Sequence, residues 1–164
     1  LDDRNTCVLF GDGAGAAVLR REEGRSWHTV FGTRGGAEHI RAEGPGPDQA
    51  AIFMDGKPVF RFAVEVVEQS IRQLLEAEGC PLDEVDFVVC HQANARIVDH
   101  VAKKLKAREG QFYKNMERYG NTSAASIPIA LDELAERGDL RPGMRVLTVG
   151  FGGGLTWAGA LLKW

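Results

Sequence analysis

His91 is the side chain in this sequence best placed to do acid–base or hydrogen-bonding chemistry. It follows the short apolar run Phe87–Cys90 and opens a polar His-Gln-Ala-Asn segment. A continuous apolar run of this length predicts a strand buried on both faces, and α/β folds place ligand-facing groups at the carboxyl ends of such strands. The alternative is that His91 only caps the helix that follows. The position therefore predicts a site at the end of this strand but leaves the role of the imidazole open.

The cysteines offer neither an obvious nucleophile nor a metal site. Cys90 and His91 are neighbours on the predicted strand, so their side chains point to opposite faces and cannot form a nucleophile–base pair. The sequence has an odd number of cysteines, Cys7, Cys80 and Cys90, and none of them are in CxxC spacing. This argues against a disulfide framework and against a zinc ribbon. Cys80, Cys90, His91 and His100 show no i, i+3 or i+4 cluster of metal ligands. We expect no metal.

Composition restricts the class of protein. The 164 residues are 44% hydrophobic and 26% charged, which is typical of one globular domain. No apolar run approaches the ~20 residues of a membrane span. Twenty basic against 23 acidic residues give a net charge of −3, so we expect no binding of a nucleic-acid backbone. The sequence starts at Leu1 without a basic-then-apolar leader, so we expect a cut chain and no signal peptide. The odd number of cysteines without paired spacing predicts a reducing, cytoplasmic compartment.

Helical and strand periodicities predict the elements that would hold His91 in place. The helices are predicted from residue 58 to the breakers at residues 79 and 81, after residue 94, and over residues 122–137; the strands are predicted over residues 6–10, 16–19, 87–90, 145–149 and 155–162. The first helix carries its apolar residues on one stripe at helical spacing. This order of elements predicts an α/β protein with a layered sheet of mixed direction.

The glycine-rich segment Gly11–Gly15 has two interpretations. It is either the turn between two strands or a phosphate-binding loop. A phosphate loop needs a helix behind it, whereas the apolar run that follows ends in charged residues. We therefore interpret it as a turn. Residues 24–55 show no period and contain Gly-Gly and Gly-Pro-Gly-Pro breakers, which predicts a long loop.

Three motifs in order carry more information than any single residue. They are His91-Gln-Ala-Asn-Ala-Arg96, Arg118-Tyr-Gly-Asn-Thr-Ser-Ala-Ala-Ser126 and Gly150-Phe-Gly-Gly-Gly-Leu-Thr-Trp157. Together with the opening CVLFGDGAGAAVL and the later MDGKPVF segment, they resemble the β-ketoacyl-acyl-carrier-protein synthase III family over nearly the whole chain except residues 22–50. The resemblance implies the thiolase fold, in which residues 1–164 form the C-terminal half, with a five-stranded mixed sheet covered by helices.

The same resemblance implies roles for four residues. In that family a cysteine accepts an acyl group from acyl-CoA, malonyl-carrier protein loses carbon dioxide, and the resulting carbanion attacks the thioester. His91 and Asn121 would hydrogen-bond the malonyl thioester carbonyl, where fixed donors stabilise the developing negative charge. The backbone N–H of Gly153 would join the oxyanion hole, and Phe151 would wall the site. The acyl-accepting cysteine belongs to the N-terminal half and matches none of the cysteines here.

The resemblance also implies two groups of binding residues. The first group would line the tunnel for CoA and pantetheine: Met54, Gly56, Phe60, Ala93 and Asn94. The second would dock the acidic carrier protein: Arg96 and Lys103, with Lys104 or Lys106 as further candidates. The alternatives are that the Met and Phe side chains are core residues and that the basic residues form a solvated helix face.

The implied function is a decarboxylative Claisen condensation that starts fatty-acid synthesis, with this chain inactive without its N-terminal half. The implied partners are acyl-CoA, acyl carrier protein, the N-terminal half and a second copy in a homodimer; no cofactor is expected. Two alternatives stay open. One is a condensing enzyme of secondary metabolism with the same fold and another starter unit. The other is a non-catalytic acyl-binding module, which would need no nucleophile.

Overall fold

The computed structural model describes residues 8–19, 23, 27–42 and 52–164. Its strands are β1 His28–Thr33, β2 Ile40–Ala42, β3 Ile52–Met54, β4 Phe87–Cys90, β5 Arg145–Gly152 and β6 Thr156–Lys163; its helices are α1 Gly56–Glu78, α2 Ala95–Lys104, α3 Met116–Tyr119 and α4 Ser126–Glu136, with 3-10 turns at Leu82–Glu84 and Ser123–Ala125. Among these residues, no helix is both long and apolar enough to cross a membrane.

Four strands form one mixed sheet in the order β1-β6-β5-β4. β4 runs parallel to β5, with Phe87 opposite Val146 and Cys90 opposite Val149. β6 runs antiparallel to both β5 and β1. β2 and β3 form a separate antiparallel pair. The mixed α/β architecture predicted from the order of elements is confirmed.

Helices cover both faces of β4. Val88 and Cys90 of β4 pack into a cluster with side chains of α1 and α2. Val89, which points the other way, packs with Ala130 and Leu134 of α4. Because successive side chains on a strand alternate between faces, α1 and α2 cover one face of β4 and α4 covers the other. The predicted two-sided burial of this strand is confirmed.

α1 begins two residues earlier than the sequence predicts. The carboxylate of Asp55 accepts a hydrogen bond from the Lys57 N–H at 3.4 Å and caps the helix, and Pro58 lies in the first turn, where its missing N–H costs nothing. Gly79 ends the helix in the left-handed conformation (φ 70°), as its position predicts. The third predicted helix is divided into the 3-10 turn Ser123–Ala125 and α4.

The predicted strands at residues 6–10 and 16–19 are wrong over the described residues. Val8 and Leu9 form a turn, Phe10 makes only an isolated bridge to Asn121, and residues 16–19 pair with no described strand. A strand needs a neighbour for its backbone hydrogen bonds, and here Val18 is 98% exposed. The described sheet therefore has four strands rather than the five that the resemblance implies. Residues 6 and 7 lie outside the described part of the chain.

The long loop predicted over residues 24–55 contains strands. β1 pairs with β6 along its full length, and β2 pairs with β3. The sequence does not predict β1, because this strand alternates between half-buried and exposed positions and has no continuous apolar run. The glycines that follow it also favour a loop. The part of this segment that includes the Gly-Pro-Gly-Pro sequence lies outside the described residues.

Candidate active site

An open cavity of about 610 Å³ lies at the carboxyl ends of β4 and β5. Of the residues singled out in the sequence, six line it: Met54, His91, Ala93, Asn121, Phe151 and Gly153. The remaining wall comes from Phe10, β2, β3, the first turns of α1, the end of β5, the start of β6 and four residues around the start of α4: Ser123, Ala124, Ser126 and Ile127. The structure therefore brings the three motifs of the sequence together at one edge of the sheet.

His91 is held by its backbone and by its ring. Its N–H donates to the Val149 carbonyl at 2.8 Å, which extends the parallel pairing of β4 and β5 by one residue. Nδ1 lies 2.8 Å from Oγ of Ser126, and the ring packs edge-on against Phe151 with centroids 5.1 Å apart. Burial lowers the pKa of His91 to about 4, because a low-dielectric surrounding disfavours the charged imidazolium. The imidazole is therefore neutral at pH 7.

Asn121 is fixed as a hydrogen-bond donor toward the cavity. Its Oδ1 accepts a hydrogen bond from the Ser123 N–H at 2.9 Å, so the amide nitrogen Nδ2 is the group left to donate. Its backbone N–H donates to the Leu9 carbonyl at 2.8 Å, and its own carbonyl accepts from the Gly11 N–H at 3.0 Å. The side chain is 8% exposed. Two segments far apart in sequence thus position one carboxamide.

Phe151 and Gly153 lie where β5 turns into β6. The Phe151 ring stands between His91 and Phe62, with the Phe62 centroid at 6.4 Å. The hydroxyl of Thr156 donates to the Gly153 carbonyl at 2.9 Å and holds the turn. A Cβ at Gly153 would meet only the Ile40 carbonyl oxygen, at an ordinary 3.6 Å. Packing among the described residues therefore does not by itself require glycine at this position.

Three of the predicted tunnel residues lie outside the cavity wall. Gly56 is the first residue of α1. Asn94 caps α2, because its Oδ1 accepts a hydrogen bond from the Arg96 N–H at 2.9 Å. Phe60 packs against α2, with the Arg96 guanidinium 5.8 Å from its ring centroid and the His100 ring at 6.4 Å. Their roles in ligand binding stay predictions, whereas Met54 and Ala93 lie at the cavity itself.

The basic side chains of α2 differ in their partners. Arg96 and Lys103 are exposed, and within the described part of the chain neither has a carboxylate within ion-pair distance. Lys104, in contrast, forms an ion pair with Glu68 of α1 at 2.6 Å. The first two charges remain available to a partner, and that of Lys104 is already neutralised within the fold.

Neither described cysteine is suited to nucleophilic chemistry. Cys90 is 1% exposed, and burial raises its pKa to about 12, so the reactive thiolate is disfavoured. Cys80 is half-buried near Arg145, at the opposite end of β4 from His91. Cys7 lies outside the described residues. In the part of the chain that the structure describes, no three His, Cys, Asp or Glu side chains are grouped to hold a metal ion.

Two residues that the sequence analysis passed over support the site. Ser126 contacts the His91 ring, as described above. Gln92 is 1% exposed; its amide donates to the Cys90 and Tyr113 carbonyls and accepts from the Asn115 N–H. It therefore ties the end of β4 to the loop that leads to Asn121. Both residues lie inside the motifs that carry the family resemblance, and this position was the only indication of their importance in the sequence.

Comparison with known proteins agrees with this geometry. Residues 75–164 match the family model for the C-terminal part of 3-oxoacyl-[acyl-carrier-protein] synthase III, and residues 1–35 match the model named for 3-oxoacyl-[acyl-carrier-protein] synthase III itself. The beta-ketoacyl-[acyl-carrier-protein] synthase III of Clostridium tetani is 43% identical over 182 aligned residues, which cover 99% of this chain and 54% of the relative.

Solved structures give the same result. The 3-oxoacyl-[acyl-carrier-protein] synthase III of Aquifex aeolicus superimposes with a TM-score of 0.90 at 42% identity, covering 99% of this chain and 52% of that one. The Thermus thermophilus beta-ketoacyl-[acyl-carrier-protein] synthase III gives 0.86 at 38% identity, covering 99% and 54%. The thiolase-type fold is confirmed, and the chain spans about half the length of these relatives. The chain belongs to the 3-oxoacyl-[acyl-carrier-protein] synthase III family.

Proposed function

We propose that this chain is the C-terminal half of a β-ketoacyl-acyl-carrier-protein synthase III, which condenses acyl-CoA with malonyl-carrier protein to start fatty-acid synthesis. The observation that carries the proposal is the convergence of His91 and Asn121, from two separate motifs, on one open cavity. The His91 ring is held by a hydrogen bond with the Ser126 hydroxyl, and the Asn121 carboxamide is held by a hydrogen bond from the Ser123 N–H. Fixed dipoles of this kind need no reorganisation when charge develops.

The proposed chemistry uses this pair at the malonyl thioester. Its C–COO⁻ bond breaks, carbon dioxide leaves, and the electron pair forms an enolate whose negative charge falls on the thioester oxygen. His91 and Asn121 hydrogen-bond that oxygen. A neutral imidazole and a carboxamide supply donors without a negative charge that would oppose the enolate. The enolate carbon then attacks an acyl thioester, a C–C bond forms, and the thiolate of the acyl-carrying cysteine leaves.

The acyl-carrying cysteine is proposed to come from an N-terminal half. Cys90 faces the core and Cys80 lies at the far end of the sheet from the cavity, so neither reaches the reacting atoms. The Gly153 N–H would stabilise the oxyanion formed on the acyl thioester, together with an N–H from that other half. We propose a homodimer of such joined halves, located in the cytoplasm and needing no cofactor beyond its two substrates.

The exposed basic side chains of α2 form the proposed docking surface for the carrier protein. Among the described residues, neither Arg96 nor Lys103 has a carboxylate within ion-pair distance, and both lie on α2, the helix that follows His91. The net charge of the chain is −3. An acidic partner would be steered to that side. Met54 and Ala93 would then contact the pantetheine arm as it enters the cavity.

Joining this chain to an N-terminal half that carries the nucleophilic cysteine tests the function. The joined protein is expected to acylate from acyl-CoA, decarboxylate malonyl-carrier protein and release a β-ketoacyl product, and the 164-residue chain alone is expected to do none of these. The matched control replaces the nucleophilic cysteine with Ala. Product formation by the isolated chain at an enzymatic rate would contradict the half-enzyme proposal.

The same assay separates the alternatives. A series of acyl-CoA starters of increasing length and branching would distinguish a fatty-acid initiator, for which short starters are expected to be best, from a condensing enzyme of secondary metabolism. A joined, folded protein that binds acyl-CoA without decarboxylating malonyl-carrier protein would favour the non-catalytic module.

A further inference from the structure

The hydroxyl of Ser126 contacts two groups of the β4 end at once. Its Oγ lies 2.8 Å from Nδ1 of His91 and 3.2 Å from the backbone nitrogen of Gln92. Ser126 is the first residue of α4 and is 2% exposed. Water therefore does not compete for these contacts, and the hydrogen bonds of this hydroxyl must be satisfied within the protein.

The two contacts fix the direction of each hydrogen bond. The Gln92 N–H can only donate, so Oγ accepts there. The hydroxyl proton then needs an acceptor, and among the described residues Nδ1 of His91 is the only one within hydrogen-bond distance. If Nδ1 carried the imidazole proton instead, Oγ would accept twice and its own buried proton would be left without a partner, which is unfavourable.

We propose that Ser126 is a positioning residue that holds His91 in the tautomer with its proton on Nε2. The consequence for catalysis rests on the proposed function. With Nδ1 engaged by Ser126, Nε2 is the ring nitrogen left for the cavity. In this tautomer it presents an N–H to the developing enolate, whereas the other tautomer would present a lone pair and repel it. Because both partners of Ser126 are neighbours in sequence, the hydroxyl orients the ring and its backbone together.

Nitrogen-15 NMR of the imidazole tests the assignment without any activity measurement. The protein joined to its N-terminal half is labelled with [15N]histidine, and the His91 signals are identified by their loss in His91→Gln. The expected pattern between pH 6 and 8 is a protonated, pyrrole-like Nε2 and an unprotonated, pyridine-like Nδ1. Ser126→Ala is expected to move both signals toward a mixture of tautomers. Ser126→Thr, which keeps the hydroxyl, is expected to preserve the parental pattern.

Kinetics supply the second readout. Ser126→Ala is expected to lower kcat for malonyl decarboxylation by roughly 10- to 100-fold, the range that loss of the hydrogen-bond partner orienting a metal-binding histidine costs in other proteins. Acyl transfer from acyl-CoA is expected to stay near the parental rate, and Ser126→Thr is expected to recover most of the loss. Ser70→Ala is the matched control, because Ser70 is also fully buried but its hydroxyl has no hydrogen-bond partner among the described residues.

Two results would overturn the proposal: a His91 protonated on Nδ1 in the parent, or an unchanged tautomer pattern in Ser126→Ala. These outcomes are distinct from failure of the proposed function. The expected tautomer in a folded protein that does not decarboxylate malonyl-carrier protein would refute the function and leave the assignment of Ser126 standing. Decarboxylation by a protein whose His91 carries its proton on Nδ1 would refute the assignment of Ser126 and leave the proposed function standing.

Discussion

Gly11 lies directly against the backbone carbonyl of Tyr119, so close that a Cβ at this position would overlap the carbonyl oxygen. The contact belongs to a short strap in which the Gly11 N–H donates to the Asn121 carbonyl and the Asn121 N–H donates to the Leu9 carbonyl. The glycine-rich segment that the sequence suggests as a strand turn therefore has a different role at Gly11. It lets the backbone approach the loop that carries the proposed enolate-stabilising carboxamide.

Gly11→Ala is expected to push the strap away from Asn121. The overlap falls on backbone, which cannot move aside as a flexible side chain does, so we expect a loss of about 1–3 kcal/mol in the free energy of unfolding. Malonyl decarboxylation should also fall in the joined protein, because Asn121 would shift. Gly35→Ala is the control, since a Cβ at Gly35 has nothing within 4 Å. Equal thermal stability of the two variants would contradict this account.

The sequence predicts β4 and the position of His91 well because both depend on local signals. Phe87–Cys90 is continuously apolar, and the polar residue that follows it must lie at the edge of the sheet. The pairing of His91 with Ser126 could not be predicted in the same way. The two residues are 35 positions apart, and only the packing of α4 against the sheet brings the hydroxyl to the ring.

The strands that the sequence predicts at the start of the chain are not found in the described structure. Residues 16–19 have the apolar pattern of a strand, but pattern alone supplies no partner for the backbone, and Val18 and Leu19 are exposed in the described structure. β1 is the reverse, because its sequence alternates weakly while β6 offers a full-length partner. In both segments the neighbouring strand, which sequence periodicity does not reveal, decides the outcome.

The cysteines of this chain are expected to be structural. Cys80→Ser and Cys90→Ala in the joined protein should still accept an acyl group from acyl-CoA, since neither thiol lines the cavity. Cys90→Ala should cost roughly 1 kcal/mol of stability, because it removes a buried sulfur from the core. Mass spectrometry of the acylated protein, with peptide mapping, checks both variants and Cys7→Ser. An acyl group found on any of the three cysteines would place the nucleophile in this chain.

The charge on α2 is expected to act on the carrier protein and not on CoA. Lys103→Glu, and Arg96→Glu with the added loss of its contact to Phe60, should raise KM for malonyl-carrier protein while acyl transfer from acyl-CoA stays near the parental rate. The difference should grow at low ionic strength, where screening is weaker. Lys163→Glu makes the same charge change at the far end of β6 and is the control. Equal loss with both substrates would indicate a folding or tunnel role.

Acid is expected to destabilise the fold partly through His91. Burial lowers its pKa from 6.5 to about 4, so between these values the unfolded chain binds a proton that the folded chain does not. Stability is therefore unaffected above pH 6.5 and falls as the pH drops toward 4, by at most about 3 kcal/mol. His91→Gln should lose less stability over this interval than the parent or His100→Gln. An equal loss of unfolding free energy between pH 7 and pH 4.5 in the parent and in His91→Gln would contradict the lowered pKa.

His91 and Asn121 are expected to be dispensable for acylation and required for decarboxylation. In the proposed mechanism both would donate to the enolate oxygen, and neither would be needed to form the acyl-cysteine. In the joined protein, His91→Ala or Asn121→Ala should still accept an acyl group from acyl-CoA but lose roughly 10²-fold or more in malonyl decarboxylation, the size typical of removing one oxyanion donor. The double variant should lose less than the product of the single losses, because both donors act on one oxygen. A folded His91→Ala protein that decarboxylates malonyl-carrier protein at the parental rate would remove His91 from the mechanism.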